Sequence, residues 1–239
     1  MGHPPNTDGD LTLISFLNQL QQCSYFQQNK YPHYDDVLKL DFKSMAALQS
    51  NFKNVEIYIN GLSSSIQHEN ICQQVWINAD ILSGPGEDPN DKTAQTRMQP
   101  KFHPEEFLQL VTMRLPGTTL SIGWTTSLAD IFAMYTEEMV TEMIHQLKPY
   151  PHVKVTFPIR ATSFRRSWGA LQKLYRANEN WTVTLWWSGT NDVLLKKEEF
   201  DWIYETLERG ERGLRNRTYY DVVGFADYYR NVVQDGHVC

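Results

Sequence analysis

Three short stretches of the chain end in polar residues of types that bind phosphate groups or cations. Asp41 and Lys43 lie two residues apart at the end of one stretch, Asn78 and Asp80 lie near the end of another, and Arg160 ends a third. Carboxylate oxygens are ligands for a hard divalent cation such as Mg²⁺ or Ca²⁺, and lysine or arginine suits a phosphodiester anion. Because residues two apart on a β-strand point to the same face, these side chains are predicted to line one polar site.

Each of these residues also has a purely structural interpretation. Asp41 and Lys43 can form an ion pair that only joins two neighbouring side chains. Asn78 and Asp80 can cap the Gly-Pro loop that follows them. Arg160 can form an internal salt bridge with Asp80 or Asp41, which would still put it in the same cavity.

Three further residues are candidates for the same site. His3 changes charge near neutral pH and could act as a general acid or base, although it lies in what could be a frayed terminus. Trp124 and Trp186 lie near the ends of predicted strands, where they could form an apolar wall for a lipid or sugar portion of a ligand. Their alternative is a place in the hydrophobic core.

The stretch that carries Asp41 and Lys43 alternates apolar and charged residues. As a strand, it directs Leu38, Leu40 and Phe42 to one side and charged residues to the other. This pattern is expected of an exposed edge strand. It is equally expected of an inner strand of a (β/α)8 barrel, whose charged side lines the mouth.

Later stretches repeat the strand pattern and are separated by helical spacings. Strands are predicted at about 36–44, 74–82, 119–124, 152–160, 181–187 and 219–223. Helices are predicted after a cap at Thr7 or Asp8, from Ser44 to a point before Asn60-Gly61, and at about 103–113, 137–147, 168–175, 197–208 and 225–233. Alternating strands and helices predict a parallel sheet. The predicted fold class is therefore α/β, a (β/α)8 TIM-type barrel with six countable strands, in a single domain over 1–239.

Composition excludes several classes of protein. Hydrophobic residues make up 41% of the 239 residues, enough for a substantial core, and the formal charge of −6 argues against a general nucleic-acid binder. No apolar run has the length of a membrane span, and the first residues lack the pattern of a signal peptide. Cys23, Cys72 and Cys239 are too few and too scattered for a disulfide framework or a zinc site. The sequons that begin at Asn180 and Asn216 permit a secretory location.

Five blocks of the sequence together resemble the menorin family, in order and over almost the whole chain. They are HPPNTD at 3–8, KLDFKS at 39–44, VWINADIL at 75–82, LSIGWTT at 120–126 and VTFPIRA at 155–161. That family is similar to the barrel phosphodiesterases, which include glycerophosphodiester phosphodiesterases and sphingomyelinase-D-like phospholipases. The resemblance implies metal-assisted hydrolysis of a phosphodiester or phospholipid. In that reaction Asp41 would hold Mg²⁺ or Ca²⁺, Lys43 would bind the phosphate group, and His3 would protonate the leaving oxygen. Asn78, Asp80, Trp124, Arg160 and Trp186 are the expected substrate-binding residues.

The same resemblance leaves two expectations about the whole protein. Family members carry a histidine-bearing first strand and an acidic-x-Asp second strand before the His-Pro-Pro block, so the chain is expected to lack its first one or two βα units. Some members are secreted and act in cell-surface complexes. The alternative to an enzyme is therefore a non-catalytic binding protein with cell-surface protein partners, located outside the cell rather than in the cytoplasm.

Overall fold

Six strands and eight α-helices lie in the part of the chain that the computed structural model describes, which is residues 11–22, 37–65, 74–85, 100–126, 130–188, 194–210 and 213–234. The strands are β1 (Val37–Asp41), β2 (Gln74–Leu82), β3 (Thr119–Trp124), β4 (Val155–Arg160), β5 (Trp181–Trp187) and β6 (Thr218–Val222). The helices are α1 (Leu13–Gln22), α2 (Met45–Ser65), α3 (Pro104–Arg114), α4 (Glu137–Leu147), α5 (Ala161–Phe164), α6 (Trp168–Ala177), α7 (Lys197–Ile203) and α8 (Phe225–Gln234). The strands form one sheet in chain order, and every neighbouring pair is parallel.

The sheet is strongly curled. The rings of Trp76 on β2 and Tyr219 on β6 meet edge to face with centroids 5.0 Å apart. In a flat sheet, four inter-strand spacings would separate these strands by about 19 Å. Side chains from both ends of the sheet therefore meet over one concave face. The predicted fold class is confirmed in this form, as a curled half-barrel of six parallel strands alternating with helices.

The convex face of the sheet carries the hydrophobic core. Alternate residues of β4 and β5, such as Phe157, Ile159, Val183 and Leu185, are almost fully buried. Amphipathic helices cover this face; α4, for example, buries Val140, Met143 and Leu147. Strand alternation thus places the apolar residues outside and the polar residues inside the curl.

Helix α7 continues into one turn of π-helix, Tyr204–Glu208, in which the N–H of Arg209 donates to the carbonyl of Tyr204. The wider turn buries the Glu208 side chain, which accepts a hydrogen bond from the Tyr220 hydroxyl at 2.7 Å and pairs with Arg215 at 3.2 Å. This carboxylate therefore connects the end of the helix to β6.

Several predicted boundaries are corrected by the structure. Helix α2 does not end before Asn60-Gly61 but runs through both residues to Ser65. Strand β4 begins at Val155 rather than at His152, and the predicted helix 197–208 is an α-helix followed by the π turn. The Ser44 cap is confirmed, since its hydroxyl accepts the N–H of Ala47 at 3.2 Å. No helix in the described ranges has the length and apolarity needed to cross a membrane.

Candidate functional site

The carboxylate and ammonium of Asp41 and Lys43 meet at the edge of the concave face. Strand β1 ends at Asp41, and Lys43 follows two residues later. Its Nζ lies 2.6 Å from Asp41 Oδ2, and the two side chains are 40% and 39% exposed. The pair is accessible to a ligand that enters the half-barrel.

A row of hydrogen bonds runs from Asp41 across the concave face. Asp41 is in register with Asn78 on β2, which is in register with Ser121 on β3. The amide of Asn78 donates to Asp41 Oδ1 at 2.7 Å, and the Ser121 hydroxyl donates to Asn78 Oδ1 at 2.7 Å. Further along, the hydroxyls of Thr156 and Thr184 are 2.8 Å apart. These bonds satisfy the buried polar groups and fix the orientation of Asn78.

Asp80 lies on the same face of β2, two residues beyond Asn78. Gly123 on β3 leaves space for it, since a Cβ there would be 3.4 Å from Asp80 Oδ1 and 3.0 Å from Pro158. Burial raises the pKa of the Asp80 carboxyl to about 6. The ammonium of Lys43 opposes that rise, while the Asp41 carboxylate adds to it. Asp80 is thus a carboxyl that can change charge close to neutral pH.

Arg160 ends β4 on the concave face with its guanidinium buried; the residue is 1% exposed. One nitrogen, Nη1, donates to the carbonyl of Asp130 at 3.2 Å, and the guanidinium carbon lies 5.6 Å from the ring centre of Trp186. Nε and Nη2 are buried and find no acceptor among the residues that the structure describes. The predicted alternative, an ion pair to Asp80 or Asp41, is not among the ion pairs formed by the described residues. Desolvation lowers the pKa of Arg160.

Lys39 adds a third cation to the concave face. It lies within electrostatic range of Asp41 and Asp80, and also of Asp221 on β6, across the half-barrel. Partial burial lowers the pKa of its ammonium, and the three carboxylates oppose that effect. Opposite charges are therefore mixed at this edge, whereas Arg160 has no carboxylate partner among the described residues.

The two predicted aromatic residues lie on opposite faces of the sheet. Trp186 lies on the concave face beneath Arg160. Trp124 belongs to the convex side, where its ring contacts Tyr135 and Phe157 with centroids 5.4 and 6.2 Å away, so the structure does not bring it into the polar row. His3 lies outside the described residues.

Sequence reasoning missed the segment that holds Arg160. Asp130 supplies a carbonyl to its side chain, and the Tyr135 hydroxyl accepts its backbone N–H at 3.2 Å. Two further hydrogen bonds anchor the same segment. The Thr162 hydroxyl donates to the carbonyl of Ile131, and the Ser167 hydroxyl accepts the N–H of Tyr135. The segment has no periodic pattern that would have indicated these contacts. Ser121, in contrast, was detectable from its place in the alternation of β3.

The described residues alone do not fit a Mg²⁺ or Ca²⁺ ion. One oxygen of Asp41 accepts from Asn78 and the other pairs with Lys43, while Asn78 Oδ1 accepts from Ser121. No group of three His, Cys, Asp or Glu side chains within the described ranges could surround an ion. Calcium needs six to eight oxygen ligands, roughly, and magnesium close to six. The metal predicted at Asp41 therefore remains a prediction.

Comparison with known proteins adds two findings. The family model described as the Menorin N-terminal domain matches residues 1–225. The human protein FAM151B is 32% identical over 209 residues, which are 84% of this chain and 64% of that protein. The chain thus spans less than two thirds of the length of this relative.

Proposed function

Because this chain belongs to the menorin family, we propose that its half-barrel binds the phosphate group of a phosphodiester or lipid-like small molecule on the concave face. The proposal depends chiefly on one observation, the buried guanidinium of Arg160, two of whose nitrogens lack acceptors within the described part of the chain. An unpaired buried charge is costly in free energy. Phosphate oxygens, like carboxylate oxygens, are acceptors that match its planar N–H groups.

The surrounding charges define where the rest of such a ligand would lie. Asp80 is within electrostatic range of Lys43 and Lys39, and also of Tyr135, which contacts Arg160. A ligand phosphate therefore meets the exposed ammonium of Lys43 first and Arg160 deeper in the site. We expect the ligand oxygens to accept from Nε and Nη2 of Arg160, while Nη1 keeps its hydrogen bond to the Asp130 carbonyl.

The test uses diethyl phosphate, a singly charged phosphodiester, and triethyl phosphate, its neutral analogue. We expect the anion to bind and the neutral ester not to, as measured by phosphorus NMR. Arg160→Met should weaken binding at least tenfold, since hydrogen bonds to charged groups contribute about 1.5–3 kcal/mol. Arg166→Met is the matched control, because Arg166 is exposed and its guanidinium lies over the Phe132 ring.

Equal binding of the charged and neutral esters would contradict the proposal. So would an Arg160→Met variant that binds diethyl phosphate as tightly as the parent chain. A cooperative unfolding transition in both variants is needed to separate loss of binding from loss of fold.

A second candidate function is hydrolysis of the bound phosphodiester, which the raised pKa of Asp80 favours. A carboxyl that titrates near pH 6 can accept or donate a proton at neutral pH. With bis(para-nitrophenyl) phosphate as substrate, Asp80→Asn should abolish release of nitrophenol but retain binding of diethyl phosphate. Equal turnover by this variant, with or without added Mg²⁺ or Ca²⁺, would remove Asp80 from the mechanism.

We also propose a secretory location, with cell-surface partners, on the basis of the two sequons. Asn180 and Asn216 are exposed just before β5 and β6, at the end of the sheet opposite Arg160. Glycans there would leave the concave site open. Digestion with an N-glycosidase should lower the mass of the chain isolated from its source. Unmodified peptides at both positions would favour the cytoplasmic alternative.

A further inference from the structure

A groove of about 600 Å³ lies on the convex side of the sheet, separate from the proposed phosphate site. Its floor is formed by the end of β2, at Ile81 and Leu82, and by Trp124 of β3. One wall is the segment from Phe102 into the start of α3, and the other is the first part of α4. This volume is within the range of about 300–1,000 Å³ that small-ligand sites occupy, and it has room for a few side chains.

The floor of the groove is mainly apolar, and the Trp124 ring that forms part of it carries a buried donor. Trp124 is 2% exposed, and its indole N–H has no acceptor among the described residues. Phe102 and Met139 extend the apolar surface towards the two walls. An occupant should therefore combine an apolar group with a hydrogen-bond acceptor.

The rim of the groove on α4 is acidic. Glu138 and Glu142 lie one helical turn apart, are exposed and line the groove. Neither forms an ion pair with a described residue, although the Glu138 carboxylate accepts from the Thr136 hydroxyl at the start of the helix and Glu142 accepts from the Gln146 amide at 2.7 Å. Glu137, which follows the cap of the same helix, instead pairs with Lys173 at 2.9 Å and does not line the groove. The rim therefore favours a cation and disfavours a phosphate.

We propose that this groove docks a peptide segment that presents an aliphatic side chain beside a lysine or arginine. The aliphatic side chain lies on Leu82 and Phe102, and the basic side chain reaches Glu138 and Glu142. A backbone carbonyl of the segment accepts the indole N–H of Trp124. A small ammonium ion satisfies only the rim, whereas a peptide also fills the apolar floor and supplies the missing acceptor.

The probe is the peptide acetyl-Ile-Leu-Arg-Arg-amide, compared with acetyl-Ile-Leu-Glu-Glu-amide. We expect only the basic peptide to bind, and to shift the NMR signal of the Trp124 indole N–H, which a Trp124→Phe variant identifies. Glu138→Gln combined with Glu142→Gln should weaken binding about threefold to tenfold, as expected for two exposed charge pairs. Glu137→Gln is the matched control on the same helix and should leave affinity unchanged.

Four results would overturn the proposal. They are equal binding of both peptides, unchanged affinity in the double variant, an unmoved Trp124 signal at saturation, and displacement of the peptide by an equal concentration of tetraethylammonium. Self-association of the chain that the basic peptide reverses would instead assign the groove to a second copy. The glutamate variants each replace an exposed carboxylate by its neutral isostere, and a cooperative unfolding transition checks that they and Trp124→Phe remain folded.

Discussion

On strand β4, Thr156 faces the concave side of the sheet and Phe157, the next residue, faces the convex side. Both are fully buried. Thr156 shares a hydrogen bond with Thr184, whereas Phe157 packs against the rings of Trp124 and Trp181. Two adjacent residues with equal burial thus contribute to the fold through different forces.

This difference extends over both faces of the half-barrel. The convex face removes apolar side chains from water, which is the dominant favourable term in folding. The concave face gains less, because each internal hydrogen bond replaces a bond to water. Polar residues there are retained at little benefit to stability, and Arg160, two of whose nitrogens have no acceptor among the described residues, is the one best placed to bind a ligand.

The largest expected effect is the contrast between Phe157→Ala and Thr156→Val. The first leaves a cavity in the convex core and should lower the free energy of unfolding by about 3–5 kcal/mol. The second leaves one buried hydroxyl of Thr184 unpaired and should cost about 1–2 kcal/mol. Urea unfolding measures both. Equal losses would mean that the two faces do not differ in energetic role.

The next effect concerns the charge of Asp80 on the concave face. Burial raises the pKa of its carboxyl from 3.8 to about 6, so the folded state binds this proton more tightly than the unfolded state. The preference of the folded state for protonated Asp80 therefore stabilises the fold. This stabilisation is complete below pH 3.8, declines as pH rises towards about 6, and is absent above that. Asp80→Asn should therefore raise the free energy of unfolding by about 1–3 kcal/mol at neutral pH, and less towards pH 4. A gain that does not vary with pH would contradict this assignment.

A glycine pair tests the packing of the convex side where β2 and β3 end. A Cβ at Gly84 would lie 2.5 Å from Trp124 Cβ, so Gly84→Ala should cost about 1–3 kcal/mol. A Cβ at Gly169, in helix α6, meets nothing within 4 Å. Gly169→Ala is the control and should stabilise the chain by up to about 1 kcal/mol. The melting temperatures of the two variants should move in opposite directions.

The smallest expected effect is that of added divalent cations on the concave face. The described residues around Asp41 satisfy one another, so we expect Mg²⁺ and Ca²⁺ to leave the melting temperature unchanged. A rise that Asp41→Asn abolishes would instead support the metal role implied by the family resemblance. Calorimetric titration of both chains provides the same comparison without heating.

Local pattern was enough to predict most of the sheet. Strict alternation in β4 and β5 identified their buried faces, and the same rule placed Asn78, Arg160 and Trp186 on the concave side. Alternation also assigns Trp124 to the apolar row of β3, whose other members are Leu120 and Ile122. The prediction that Trp124 forms part of a ligand wall was based on its place near the end of the strand, and it gave too little weight to this alternation.

Contacts between distant parts of the chain were not predictable in the same way. The Asp130 carbonyl meets Arg160 30 residues later, and no local pattern indicates this. The turn signal at Asn60-Gly61 did not end the helix, which continues through both residues to Ser65, since local propensity is only a weak guide to where a helix ends. Sequence alone also could not show that two nitrogens of Arg160 have no acceptor among the described residues, because this depends on where the carboxylates lie in the fold.

The π turn at Tyr204–Glu208 has a consequence for insertions and deletions in this part of the chain. A π turn contains about one residue more than an α turn, so it is equivalent to a single-residue insertion in helix α7. Removing one residue there would restore α-helical geometry and rotate Glu208 by about 100° around the axis. The Glu208 carboxylate would then point away from Tyr220 and Arg215. Strand β6 and Arg215 would lose the hydrogen bond and the ion pair, respectively, that connect them to the preceding helix. Length variation is therefore expected to be better tolerated on either side of this turn than within it.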